Sequence, residues 1–111
     1  MSDSACFKDY RAYTNFLPDR YGKSTLFEND AILVGLNCLV PGQCMQKHAH
    51  VEQNRFYLVL EGSGKVWVDE EEQLVSGGML VWVPAGRAHR IENQGEQPLV
   101  MLVGIAPAHA D

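Results

Sequence analysis

Absences set the first limits. No basic run occurs anywhere in the 111 residues, and acidic residues outnumber basic ones 14 to 9, for a formal charge of −5. Nucleic acid and anionic membrane are therefore not expected partners. No long apolar run exists either: the longest, over 31–40, is interrupted by Gly35 and Asn37 and is too short to cross a bilayer. The first residues, Met1-Ser2-Asp3-Ser4, lack the basic segment and apolar core of a secretion signal, so a cytoplasmic location is expected. Cysteine is scarce. Cys6, Cys38 and Cys44 are odd in number and form no CxxC pair, as expected of reduced thiols rather than a disulfide framework. Low-complexity tracts are missing while 46% of residues are hydrophobic, which excludes disorder. A single domain of this length needs neither a disulfide nor a metal to fold. Absent too are a Ser-His-Asp grouping, a phosphate-cradling glycine loop and a dinucleotide fingerprint; Gly62-Ser63-Gly64 is a hairpin turn, since no helical pattern follows it.

What is present is turn chemistry at short intervals: Glu28-Asn29-Asp30, Pro41-Gly42, Gly62-Ser63-Gly64, Ser76-Gly77-Gly78, Pro84-Ala85-Gly86 and Asn93-Gln94-Gly95. Between them lie short runs rich in Val, Leu, Phe, Tyr and Trp, over 31–40, 56–60, 65–68, 79–83 and 99–105. Runs this short, punctuated this often, predict strands and an all-β sandwich or barrel. Val66-Trp67-Val68 and Val81-Trp82-Val83 are apolar on both faces. They require a cover, either a second protomer or the N-terminal arm. The arm, residues 1–23, has aromatics without a clean period, so it reads as a short helical or extended segment; the barrel occupies 24–106 and a tail 107–111.

Two histidine clusters carry the chemistry. The first runs Gly42, five residues, His48-Ala49-His50, then Gln53, Arg55 and Gly62. The second runs Gly78, five residues, Pro84-Ala85-Gly86, two residues, His89, three residues, Asn93. His48 and His50 are two apart, so they share one side of a strand. Three imidazoles from two distant strands of a small β domain point to a metal site. Cys44, four residues before His48, is a candidate soft ligand. Arg87 and Arg90 flank His89; Arg90 is expected to face away from it as a solvated charge. His109 is expected to be free, and Glu70-Glu71-Glu72 to be a solvated hairpin tip.

These clusters resemble the paired motifs of the cupins. Gly42, His48, His50 and Gly62 fall in the first motif, and Gly78, Pro84, Gly86, His89 and Asn93 match the second without a gap; Phe56-Tyr57-Leu58-Val59-Leu60-Glu61-Gly62 is also typical. The resemblance covers about residues 24–105 and implies a double-stranded β-helix, or jelly-roll barrel. It also implies a homodimer and a divalent transition metal (Fe, Mn, Ni, Zn or Cu). It says little about the reaction, because cupins host many chemistries.

One position departs. Arg55 stands where the family usually has its glutamate ligand, and arginine cannot bind a metal. Gln53, two residues back on the same face of a regular strand, has an amide oxygen able to coordinate. The ligand set implied is His48, His50, His89 and Gln53, with Glu52 as runner-up on the opposite face. Such a set is neutral and leaves the metal's charge intact, raising its Lewis acidity. Arg55 is read either as a clamp for a carboxylate, enolate or phenolate or as a salt-bridge partner of Glu52 or Glu92. Tyr57, next on that face, is read either as a group that bonds substrate or acts as an acid, or as a packed strand aromatic. Trp82 and Met45 are read as pocket walls or as core. The expected ligand is a small organic anion. The expected activity is that of a metal-dependent dioxygenase or an isomerase, cyclase or lyase; a non-catalytic ligand-binding or sensor cupin is the alternative, and a metal-free structural module the third reading.

Overall fold

A computed structural model describes residues 6–109; residues 1–5 of the expected arm and 110–111 of the expected tail lie outside the described residues. Strands run β1 (Gly22–Glu28), β2 (Leu33–Leu39), β3 (Cys44–Ala49), β4 (Asn54–Glu61), β5 (Ser63–Val68), β6 (Glu71–Ser76), β7 (Leu80–Val83), β8 (Ala88–Glu92) and β9 (Leu99–Ala106). They form two antiparallel sheets, in the orders β1-β2-β9-β4-β7 and β3-β8-β5-β6. The alternation of short strands with Gly- and Pro-bearing turns, predicted as an all-β barrel, is this double-stranded β-helix.

The core lies between the sheets. Strand period 2 selects its members. In β4 the odd positions Arg55, Tyr57 and Val59 are buried while their neighbours are not. Beside them in the same sheet stand Met101 and Val103 of β9, and facing them across the core stand Val66 of β5 and Ile91 of β8. Gly62 makes the β4–β5 turn. Its φ is +80°, and a Cβ there would sit 2.2 Å from the Pro98 carbonyl oxygen, so only glycine allows the close approach.

A second apolar cluster, Leu26, Leu36, Cys38 and Val100, occupies the outer face of the first sheet and packs under Tyr10 and Tyr13 of the arm. Asp9 caps a single 3-10 turn over Tyr10–Ala12. Ser24 Oγ donates to the Tyr13 carbonyl at 2.6 Å, and the Tyr10 hydroxyl donates to Glu61 at 2.6 Å. The arm thus covers β1, β2 and β9, not the strands carrying Trp67 and Trp82. Trp67 is covered otherwise: Lys65 and Arg90 lie 5.1 and 4.4 Å from its ring, and its indole N–H donates to Glu72. Leu80 and Trp82, on the edge strand β7, stay 69% and 60% exposed. Among the described residues no helix is long and apolar enough to cross a membrane.

Candidate metal and anion site

The site is set by an irregularity in β3. Cys44 and Met45 pair with Glu92 and Ile91, but His48 and Ala49 pair with His89 and Ala88. One extra residue therefore sits in β3 between Met45 and His48. A bulge of this kind reverses which face the following side chains take. Met45 points into the core opposite Ile91, and after the bulge His48 also faces inward, directly opposite His89. Cys44 is left exposed on the other face, away from the histidines.

The second motif supplies His89. Gly86, at φ +85°, turns the chain, and its N–H donates to the His50 carbonyl at 2.9 Å. That bond ties the turn before β8 to the end of β3 and brings the two histidine-bearing segments together. Asn93 secures the other end of β8: its Nδ2 donates to the Leu39 and Gln97 carbonyls at 2.9 Å each. The motif asparagine is structural.

The three imidazoles are neighbours. Ring centroids are 4.4 Å apart for His48 and His89 and 4.8 Å for His48 and His50. His48 Nδ1 lies 2.8 Å from the Gln46 carbonyl oxygen, and His89 Nε2 lies 2.8 Å from the Tyr57 hydroxyl. His89 Nδ1 is buried and has no hydrogen-bond partner. Burial, with His48, Arg55 and His50 adding to it, lowers the His89 pKa to about 3. Burial, then Arg55 and His48, also lowers that of His50.

Among the described residues no three His, Cys, Asp or Glu side chains form a ready-made ion cage. The donors nevertheless fit a divalent metal by their chemistry. His50 and His89 are held neutral, the state that ligates. His48 and His89 each have one ring nitrogen on a protein oxygen, the pattern that orients a metal-bound imidazole. His89 offers a buried nitrogen that nothing in the protein satisfies.

Arg55 faces inward at 8% exposure. Neither Glu52, which is exposed, nor Glu92, which pairs with Arg90, reaches it. Among the described residues no carboxylate pairs with it. Its Nη2 donates to Gln53 Oε1 at 3.4 Å, and its Nε is buried without a partner. Gln53 is buried too, but its amide is engaged: Nε2 donates to the Pro107 and Ala108 carbonyls at 3.0 and 3.2 Å. To serve a metal it would have to leave Arg55.

A cavity of about 630 Å³ opens beside these groups, a volume suited to a small ligand. His48, His50 and Met45 of β3 line one side, and Arg55, Tyr21, Lys23 and residues of β2 and β9 line the side formed by the first sheet. Lys23 and Arg55 are its charged residues, and no Asp or Glu lines it. In a chain of net charge −5, the cavity is locally cationic. Lys23 is a contributor that sequence reasoning missed: nothing about an isolated lysine at the start of β1 signals that it reaches the cavity.

Other residues singled out in the sequence stand elsewhere. Tyr57 is fully buried behind the histidines and does not line the cavity; burial raises its pKa. Trp82 does not line this cavity, because β7 turns it outward between the more buried Val81 and Val83, and it borders a separate groove instead. Arg90 faces away from the site as expected, but pairs with Glu92 and stacks on Trp67 rather than standing in solvent. Arg87 pairs with Asp69. His109 is not free: its Nε2 lies 3.0 Å from Glu28 Oε2, because the tail folds back over the β1–β2 turn.

A double-stranded β-helix with inward histidines from two motifs defines the class. The cupin domain family matches residues 35–105, and the chain belongs to that family. It is similar in structure to TT1209 from Thermus thermophilus, with a TM-score of 0.89 and 34% identity over 93% of this chain and 98% of that one. It is 33% identical over 69 residues to the tetracenomycin polyketide synthase protein TcmJ of Streptomyces glaucescens, covering 62% of this chain and 46% of the relative. It is 31% identical over 83 residues to a gentisate 1,2-dioxygenase of a Ralstonia species, covering 74% of this chain and 23% of the enzyme. The chain spans less than half the length of these two curated relatives.

Proposed function

We propose that this cupin binds a divalent transition metal through His48, His50 and His89 and takes a small organic anion in the adjoining cavity. The observation that carries this reading is Arg55. A buried guanidinium without a carboxylate costs several kcal/mol of desolvation, which one long bond to the Gln53 amide oxygen offsets only in part. An anion in the cavity would supply the missing partner, and Lys23, which lines the same cavity, adds to the attraction. The ligand set contains no carboxylate, so a bound ion keeps its full positive charge and would act as a Lewis acid toward a carboxylate, enolate or phenolate. Around it the chain's own groups divide the labour. Arg55 anchors and orients the anion. The apolar side chains of Leu33, Val103 and Ile105 keep water from its other face.

Oxygen chemistry, in the manner of a dioxygenase, is the reaction class we infer. The likeness to a gentisate 1,2-dioxygenase supports it. Isomerisation or elimination through a stabilised enolate is the neighbouring class. A second reading, a binding or sensor cupin without turnover, is favoured by one feature: no carboxylate lines the cavity to act as a general base. The protein is proposed to work in the cytoplasm as a homodimer, and three thiols without a disulfide framework suit that compartment.

The test is a thermal-shift screen of carboxylates, 1,3-dicarbonyls and phenols on metal-loaded protein, repeated with Arg55→Gln. Anions should stabilise the protein and neutral isosteres should not. Arg55→Gln should weaken the best anion by about one to two powers of ten, since a charge-assisted contact is worth roughly 1.5–3 kcal/mol. Neutral analogues binding as well as anions would sink the reading. Oxygen uptake with a hit separates the dioxygenase from the isomerase, which turns over anaerobically, and from the sensor, which does neither.

A further inference from the structure

Gln53 stands one residue before β4, and the pairing of that strand with β9 fixes what it meets. Asn54 lies opposite Ala106 and Arg55 opposite Ile105, so Gln53 comes level with Pro107, where the chain leaves the barrel. The buried side chain meets three polar groups. Its Nε2 donates to the Pro107 and Ala108 carbonyls at 3.0 and 3.2 Å, and its Oε1 accepts from Arg55 Nη2 at 3.4 Å. Carbonyls only accept and a guanidinium only donates. A flipped amide would set its NH2 against the guanidinium and its oxygen against two carbonyls, so the partners at both ends fix one orientation. That orientation turns the oxygen toward a cation. A divalent ion on the same oxygen would stand beside the guanidinium, and like charges that close repel. Gln53 also lies behind Arg55 as seen from the cavity: Arg55 lines it with His48 and His50, and Gln53 does not. The tail on the far side of the amide is itself pinned. Ala108 is buried, its N–H donates to the Asp30 carbonyl at 3.4 Å, and His109 meets Glu28. Contacts thus run in series from the β1–β2 turn through the tail and Gln53 to Arg55.

We propose that Gln53 is a positioning residue for Arg55 and not a metal ligand: its amide holds the guanidinium at the cavity wall and ties it to the tail, so that the seating of Pro107 and Ala108 sets how tightly the cavity holds an anion. This rests on the anion reading of Arg55 above.

The experiment follows solvent exchange of the Arg55 side-chain N–H signals by NMR in protein free of metal and ligand, then titrates zinc against a competing chelator and benzoate against the zinc-loaded protein. Wild type is expected to show a slowly exchanging Arg55 Nε–H. Gln53→Leu should speed that exchange by about 10-fold or more, as a freed local contact opens more often. It should weaken benzoate by roughly 5-fold, the worth of one hydrogen bond, and leave zinc affinity unchanged. In an Arg55→Gln background, Gln53→Leu should weaken benzoate no further, whereas a mere packing defect would weaken it in both backgrounds. Ala108→Asp, whose charge cannot stay buried, should lift the tail and speed the Arg55 exchange as Gln53→Leu does; it carries the same test should Gln53→Leu fail to fold. Gln53→Glu hands the guanidinium a carboxylate of its own, so benzoate should weaken by about 10-fold or more and zinc should not tighten. Zinc tightened by Gln53→Glu, zinc weakened about 10-fold or more by Gln53→Leu, or Arg55 exchange unchanged by both Gln53→Leu and Ala108→Asp would overturn the proposal. Wild type taking up no benzoate would count against the anion reading itself, and the Arg55 exchange in ligand-free protein would still accept or reject the link through Gln53.

Discussion

At the scale of single residues, the molecule stores unsatisfied polarity in one place. Arg55 Nε and His89 Nδ1 are both buried without partners; Arg55 lines the cavity with His48 and His50, and His89 stands against His48. Their proximity also explains the protonation pattern, because the guanidinium joins burial in keeping His50 and His89 neutral. A pH dependence follows for the metal-free protein. The His89 pKa is about 3 in the folded state against an ordinary 6.5, so between these values the unfolded chain holds a proton that the folded chain does not. Stability then rises with pH across that window, is present in full above about 6.5, and is lost progressively as pH falls toward 3. Denaturant midpoints measured from about pH 8 to about pH 4 in a chelator should fall more steeply for wild type than for His89→Gln. Equal slopes would place the acid sensitivity in other groups.

At the scale of elements, β3 decides whether there is a site at all. It is an edge strand beside β8, so it can accommodate an extra residue without disturbing a second neighbour. That residue lets Met45 and His48, three apart, share the inner face. Deleting Gln46 should remove the bulge, set Lys47 opposite Arg90 and leave His48 two residues after Met45, still on the inner face opposite His89. Zinc affinity is therefore expected to stay within about 10-fold of wild type, no more than the loss of one orienting contact costs, while the circular dichroism spectrum stays that of a β protein. A loss of roughly a hundred-fold or more with the fold intact would mean that the bulge does more than set which face the histidines take. No sequence signal marks this bulge. Spacing places His48 and His50 on one face of a strand but not which face, and it leaves Cys44 looking like a neighbour of the site. Period 2 did place Arg55 and Tyr57 together on one face of β4, because that strand is regular over its pairing from Asn54 to Val59, while only the packed structure makes that face the inner one. Whether Arg55 would find a carboxylate depended on side chains from other strands, which spacing cannot supply.

At the scale of the whole molecule, local patterns in the chain spell out the barrel, since turns and alternating strands dictate it, whereas the contacts closing it over long separations are hidden. The arm is the clearest case. Tyr10 and Tyr13 have no period that names their target, yet they roof β1, β2 and β9 and leave the far edge bare. There, Leu80 and Trp82 on β7 and Leu74 on β6 stand 69%, 60% and 69% exposed. Leu80 and Trp82 flank a groove of about 580 Å³ that Val66, Val75 and Val81 also line, with Glu71, Glu72 and Arg87 at its polar side. A hydrophobic edge strand left open invites pairing with another chain, and a contiguous apolar patch of this kind marks an interaction surface. The homodimer proposed above has its natural seat on this edge, because a second copy brings the same self-complementary patch. A stable interface needs about 800 Å² from each partner, more than Leu74, Leu80 and Trp82 supply alone, so the strands around the groove must take part. Sedimentation at micromolar concentration should give twice the 12.4 kDa chain mass. Trp82→Asp, placing an unpaired charge at the centre of the patch, should give the single-chain mass with the circular dichroism spectrum unchanged. A wild-type protein that sediments as a monomer, or a Trp82→Asp variant that stays dimeric, would rule out this edge as the dimer seat.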